Sequence, residues 1–155
     1  MTAEDPGIRF PPPLIFVGLG LLGWAIERFS GVGAHAFPNW VAWSAAAVAG
    51  AIGVLLVAAA LVRFREAGTP PEPWKPTAAI TRKGIYGRTR NPMYLGMACV
   101  LLAVAAGLQS VGVLLAVLPA LLIVDRFIVR REEAYLLARF GEPYAAYLAA
   151  VPRWL

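Results

Sequence analysis

Apolar residues run along this chain in long uninterrupted blocks rather than in the alternating pattern of strands. The first block, Leu14 to Phe29, is opened by Pro11, Pro12 and Pro13 and closed by Glu27 and Arg28. Prolines suit a helix start because the first N–H groups have no partner in the helix. The second block, Trp40 to Val62, contains no charged residue. As a helix it would extend about 34 Å at about 1.5 Å per residue, enough to cross a hydrocarbon layer of about 30 Å. Its tryptophans, Trp40 and Trp43, suit one membrane interface, and Arg63 and Arg65 suit the other. Residues 63–92 break the pattern with Pro70, Pro71, Pro73 and Pro76. Apolar sequence resumes at Met93 and continues to Val124, interrupted only by Gln109 and Ser110. That length is too great for one span and suits a tight hairpin. Its arms are read as 93–108 and 111–129, with Ser110 as the cap of the second helix. Pro119 is expected to kink that second helix. Beyond Asp125 the helix turns polar and runs into water, until Gly141 stops it and Pro143 opens a last short helix.

Composition strengthens this reading. Of the 155 residues, 59% are hydrophobic and 15% charged. Soluble domains carry about 25% charged residues. A mean hydropathy of +0.66 leaves more apolar surface than a small globule can bury, so lipid is the solvent for most of it. The expected fold is an all-α integral membrane protein, a single domain over 1–155. Its four transmembrane helices are 14–29, 40–62, 93–108 and 111–129. No stretch alternates apolar and polar residues over ten positions, which excludes barrel strands.

The net charge of +5 would suggest nucleic acid in a soluble protein. Here all 14 Lys and Arg except Arg28 fall before the first span, within 63–92 or after Val124. Positive charge marks cytoplasmic segments. Both termini, the 63–92 loop and the 130–155 segment are therefore expected in the cytoplasm, with no nucleic-acid partner. Ala34-His35-Ala36 resembles a signal-peptidase site, but the preceding region carries Glu4, Asp5 and three prolines with only Arg9 positive, so cleavage is disfavoured. One Cys and one His cannot furnish a zinc site or a disulfide, and a histidine-based nucleophile relay would have to use His35, whose Gly/Ala/Pro-rich loop disfavours it.

Three features could carry chemistry. Gly18-Leu19-Gly20-Leu21-Leu22-Gly23 matches a dinucleotide fingerprint letter for letter, but that fingerprint must follow a strand. Inside an apolar helix the small residues are read as close helix packing. Asp125, at the inner end of the last span, is either an interfacial anchor or a functional carboxylate, and Glu27 is read as a rim charge. The stretch Gly84-Ile85-Tyr86-Gly87-Arg88-Thr89-Arg90-Asn91-Pro92-Met93-Tyr94-Leu95-Gly96 is the most informative. Asn91-Pro92 is a helix start, with Asn91 as cap. Its free N–H groups, with Arg88 and Arg90, suit an anion. Tyr86 and Tyr94 offer flat faces for an adenine or a sulfonium. Gly96 lets a ligand group or another helix come close. A second stretch runs from Arg130-Arg131-Glu132-Glu133 through Tyr135, Phe140-Gly141 and Tyr144 to Tyr147, ending Val151-Pro152-Arg153. By itself it reads as an amphipathic surface helix with Tyr135, Leu136 and Phe140 facing the membrane.

Together the two stretches resemble the intramembrane methyltransferases of the isoprenylcysteine carboxyl methyltransferase and phospholipid N-methyltransferase kind. The shared pattern is R-[HN]-P-x-Y-x-G, a hydrophobic hairpin, then E-E-x-x-L-x-x-x-F-G-x-x-Y-x-x-Y. It covers about residues 80–153. Gly68-Thr69-Pro70-Pro71-Glu72-Pro73-Trp74-Lys75-Pro76 is similar to a further loop of such proteins. The resemblance implies S-adenosylmethionine as cofactor and a lipophilic, membrane-embedded acceptor. It implies contact by Arg90, Asn91, Tyr94 and Glu132 or Glu133, with Tyr86, Arg88, Pro92, Gly96 and Tyr144 around the same pocket. Arg90, Glu132 and Glu133 would carry the reaction, Arg90 holding the cofactor's carboxylate and a glutamate its ammonium. The animal-type carboxyl methyltransferases carry His at the position of Asn91, which cannot take a proton near pH 7. Methyl displacement from a sulfonium needs positioning and a dry site more than acid–base groups. Two other readings are a nicotinamide-dependent membrane reductase of the sterol-reductase-like kind and a non-enzymatic four-helix subunit. The latter predicts a carboxylate in mid-span, which the second and third spans lack.

Overall fold

The computed structural model describes residues 7–8, 10–31, 37–72 and 75–155. Arg9, His35 with its Ala34 and Ala36 neighbours, and the Pro73-Trp74 pair lie outside the described residues. The chain forms α1 (Pro12–Ser30), α2 (Asn39–Glu66), a 3-10 turn (Gly84–Gly87), α3 (Pro92–Leu108), α4 (Val111–Val124), a π turn (Asp125–Val129), α5 (Arg130–Phe140) and α6 (Glu142–Ala150). No strand occurs among the described residues.

Each boundary has a local cause. Prolines start α1 and α3, and Gly31, at φ 70°, ends α1 in a conformation few other residues adopt. Gln109 turns the hairpin at φ 48°, and the Ser110 hydroxyl accepts the Val113 N–H at 3.1 Å as the expected cap. Glu27, read as a rim charge, is tied to the same turn. Its carboxylate accepts the Ser110 hydroxyl and, at 2.9 Å, the Gly112 N–H at the positive end of α4. Pro119 lies inside α4, which stays helical across it. The helix passes into a π turn at 125–129, where the Arg130 N–H reaches back to the Asp125 carbonyl. α2 continues past Val62 to Glu66, and an Arg63–Glu66 pair at 2.6 Å bridges its last turn.

The helices pair α2 with α3 and α1 with α4, and α3 with α4 joins the two pairs. Glycines set both crossings. A Cβ at Gly53 would lie 2.7 Å from the Gly96 carbonyl oxygen, and the Gly23 and Gly112 backbones touch. The glycine-rich run of α1 is thus packing surface: Gly20 faces Leu101, Gly23 faces Gly112, and Gly18 meets nothing within 4 Å. Phe16, Leu101, Val113, Val117 and Val124 are buried between helices, whereas Trp40 is 74% exposed and Leu55 and Leu115 are each 68% exposed. An apolar exterior over a small-residue interior is the arrangement lipid favours. α1, α2 and the continuous helical run Val111–Phe140 are long and apolar enough to cross a membrane. α3, at 17 residues, is shorter.

Candidate functional site

The chemistry-bearing residues gather at the end of the bundle where α3 begins. A cavity there is walled by Arg90, Asn91, Met93 and Tyr94 at the start of α3. Opposite them stand Glu132, Tyr135 and Leu136 of α5 and Tyr144 and Tyr147 of α6. Phe64 at the end of α2, Pro70, Pro71 and Thr77 of the connecting loop, and Tyr86 close it. The hairpin brings these segments together by returning the chain to the same end of the bundle. All 5 tyrosines of the sequence line this one cavity.

The two acidic residues of α5 have different surroundings. Glu132 accepts the Tyr94 hydroxyl at 3.0 Å and lines the cavity. Burial pushes its carboxyl up to about 7, opposed by the Tyr94 hydrogen bond and assisted by the nearby Glu133 charge. Glu133 lies behind the wall and joins two guanidinium groups. Arg90 Nη1 sits 2.8 Å from its Oε1, and Arg153 donates to it through Nη2 at 2.5 Å and Nε at 3.1 Å. Arg90 Nε is buried without a hydrogen-bond partner among the described residues. A charged group with an unused buried donor at a cavity wall is poised for an acceptor.

The tyrosines are held firmly. Tyr147 donates its hydroxyl to the Tyr86 carbonyl at 2.8 Å, and the Arg82 guanidinium lies 5.8 Å from the Tyr147 ring centroid. Tyr86 meets Phe64 edge-on at 5.5 Å, and the Thr77 N–H donates to the Tyr135 hydroxyl at 3.3 Å. Burial raises the Tyr86 and Tyr144 hydroxyls far above their ordinary range and Tyr147 to about 12. These phenols are neutral at any working pH and act as ring faces and hydrogen-bond groups.

The structure brings Tyr86, Arg90, Asn91, Tyr94, Glu132 and Tyr144 of the expected residues to the cavity. Glu133 supports Arg90 from behind. Three lie elsewhere: Arg88 is exposed outside the lining, Pro92 is buried as the first residue of α3, and Gly96 packs on α2 with Val57 and Gly53. The glycine admits a helix, and no ligand group is needed to explain it. Asn91 occupies the cap position of α3 but makes no capping hydrogen bond. Its Nδ2 donates instead to the Arg153 carbonyl at 2.9 Å, because the C-terminal tail passes within reach. Asp125 anchors the same tail through Arg153 and Trp154 at 3.3 and 3.2 Å. Tyr135 and Leu136 turn into the cavity instead of toward the membrane, and Phe140 packs on the Tyr144–Tyr147–Val151 cluster. The sequence held a signal for the two tyrosines not expected there. Tyr135 lies one turn after Glu132 and Tyr147 one turn after Tyr144, on shared helix faces.

The class this defines is an all-helical protein with helices long and apolar enough to cross a membrane and a charged, aromatic cavity at one end of the bundle. Residues 28–143 match the phospholipid methyltransferase family. The chain belongs to that family, and its activity class is methyl transfer. It is also 38% identical over 63 residues to an uncharacterized protein of Haemophilus influenzae, a match covering 41% of this chain and all of that one. No solved structure matches the chain.

Proposed function

We propose that this protein transfers the methyl group of S-adenosylmethionine to an acceptor carried by a membrane lipid, at the cavity beside the start of α3. The observation that carries the reading is that one cavity holds Arg90, Glu132 and every tyrosine of the chain. These groups fit the cofactor. The buried, unpartnered Arg90 Nε suits a carboxylate, Glu132 suits an ammonium, and the tyrosine faces suit a sulfonium and an adenine. When bound, the cofactor supplies an electrophilic methyl group. Arg90 and Glu132 would orient it from opposite sides, and Phe64, Leu136 and the two loop prolines would keep water away from it. An apolar groove between α1 and α3, lined by Phe16, Gly20, Trp24, Met97 and Leu101, offers a route for the acceptor's hydrocarbon part. Met97 lies one turn along α3 from Met93, so one helix face joins groove and cavity.

Calorimetric titration of the detergent-solubilised protein with S-adenosylmethionine tests the assignment. Wild type should bind. Arg90→Ala and Glu132→Ala should each lose tenfold or more in affinity, since charge-assisted contacts contribute roughly 1.5–3 kcal/mol and a factor of ten is about 1.4 kcal/mol. Glu142→Ala, on the exposed first turn of α6, should bind like wild type. Absence of binding by wild type, or unchanged affinity in both cavity variants, would refute the reading.

The same proposal includes four spans at 14–29, 40–62, 93–108 and 111–129, with both termini and the 63–92 loop in the cytoplasm. Arg63, Arg82, Arg90 and Arg153 all lie at the cavity end, where the positive-inside rule puts them on the cytoplasmic side. Reporters fused after Leu155 and inserted at Gly68 should read cytoplasmic, and one inserted after Gly31 should read external. A shared signal at Gly68 and Gly31 would overturn this topology.

A further inference from the structure

The tail after α6 does not trail into solvent. It crosses the start of α3 as a strap, beyond the residues matched to the family. The Arg90 N–H donates to the Pro152 carbonyl at 3.1 Å, and the Arg153 carbonyl accepts both the Thr89 hydroxyl at 3.2 Å and Asn91 Nδ2 at 2.9 Å. The Arg153 side chain then reaches the other half of the site, gripping Glu133 with two N–H groups and Asp125 at 3.3 Å. One residue thus fastens the Arg90 segment to α5. It does so by its carbonyl on one side and its guanidinium on the other.

The geometry has a chemical consequence for Arg90. A carboxylate and a guanidinium pair best through two parallel hydrogen bonds. Arg153 takes Glu133 in that way and occupies Oε2, so Arg90 touches Glu133 through Nη1 to Oε1 and keeps Nε unused. Without Arg153, Glu133 would be free to take Arg90 in the bidentate fork and withdraw its remaining donors from the cavity.

We propose that Arg153 is a positioning residue: by occupying Glu133 and holding the Thr89 and Asn91 side chains through its carbonyl, it holds Arg90 half-free at the cavity wall and so sets cofactor affinity. This rests on the S-adenosylmethionine reading above. The test uses the full-length protein in two arms. In the first, S-adenosylmethionine is titrated into wild type, Arg153→Ala, Arg153→Lys, Arg90→Ala and the Arg90→Ala/Arg153→Ala double variant. Arg153→Ala should weaken binding tenfold or more. Arg153→Lys, a point charge unable to fork, should fall between it and wild type. The double variant should bind no more weakly than Arg90→Ala, because Arg153 acts through Arg90. A purely structural role would give additive losses.

In the second arm, amide hydrogen exchange over 89–91 is followed without cofactor and should speed up at least tenfold in Arg153→Ala. Arg153→Lys substitutes in this arm, with a smaller rise, if the alanine variant does not fold. Affinity in the Arg153 variants within twofold of wild type, a further loss on adding Arg153→Ala to Arg90→Ala, or unchanged exchange overturns the proposal. Wild type that binds no cofactor overturns the cofactor reading instead, and the exchange arm then decides the strap alone.

Discussion

Gly23→Leu should strongly destabilise the folded protein, whereas Gly18→Leu, in the same glycine run, should leave it intact. At Gly23 the backbone of α1 lies against the backbone of α4 at Gly112, with no side chain between them to yield. A leucine there must push two helices apart. Overpacking of a rigid site costs about 1–3 kcal/mol and sometimes more, and here the parting helices would also lose the Glu27 bonds to Ser110 and Gly112. A total of about 3 kcal/mol or more is a large share of an ordinary stability. Gly18 meets nothing within 4 Å, so a side chain there enters lipid. Monodispersity in detergent and the thermal midpoint measure both variants. A Gly23→Leu protein melting with wild type would contradict the helix pairing described here. A Gly18→Leu protein that failed to fold would return a specific role to the glycine run.

Glu133→Ala should destabilise the protein by about 2–4 kcal/mol, and Arg90→Ala by about half as much or less. The asymmetry follows from the charge arrangement. Glu133 and Arg90 have side chains only 13% exposed each, and Arg153 is 31% exposed. Removing the shared carboxylate leaves two guanidinium groups side by side, with Asp125 touching only one of them. Removing one partner of a buried pair costs about 3–5 kcal/mol, and partial exposure lowers that figure. Removing Arg90 leaves Glu133 still held by Arg153. Glu133→Gln, which keeps one carbonyl oxygen and loses the charge, should fall between the two. Denaturant titration in micelles compares them, and an Arg90→Ala protein less stable than Glu133→Ala would contradict the shared-carboxylate arrangement.

Much of the architecture was legible along the chain because helix formation in lipid is governed by local quantities. Block length, proline at helix starts and the Ser110 cap each depend on a few neighbouring residues, and the two hairpin arms begin within a residue of their expected positions. The π turn at 125–129 was not legible. A local widening of the hydrogen-bond register depends on the neighbours packed around the helix, which the order of residues does not show. The glycine run was legible as packing surface, but not which glycine meets which backbone.

At the site, residue types were legible and partnerships were not. The pattern around Arg90, Asn91, Tyr94 and Glu132-Glu133 located the two halves of one cavity, since a hairpin must return the chain to its starting side. It could not separate Glu132, which lines the cavity, from Glu133, which braces Arg90, because a small rotation of one helix decides which carboxylate faces inward. It assigned Asn91 to capping, where the distant Arg153 carbonyl claimed its amide. It turned Tyr135 toward the membrane because the amphipathic face of an isolated helix ignores what packs above it. By itself the sequence determined helices, their order and the chemistry available at one end, all set by composition and local spacing. Only the tertiary structure decided which side chains share a hydrogen bond, because those contacts join residues far apart in the chain and depend on how each helix is turned about its axis.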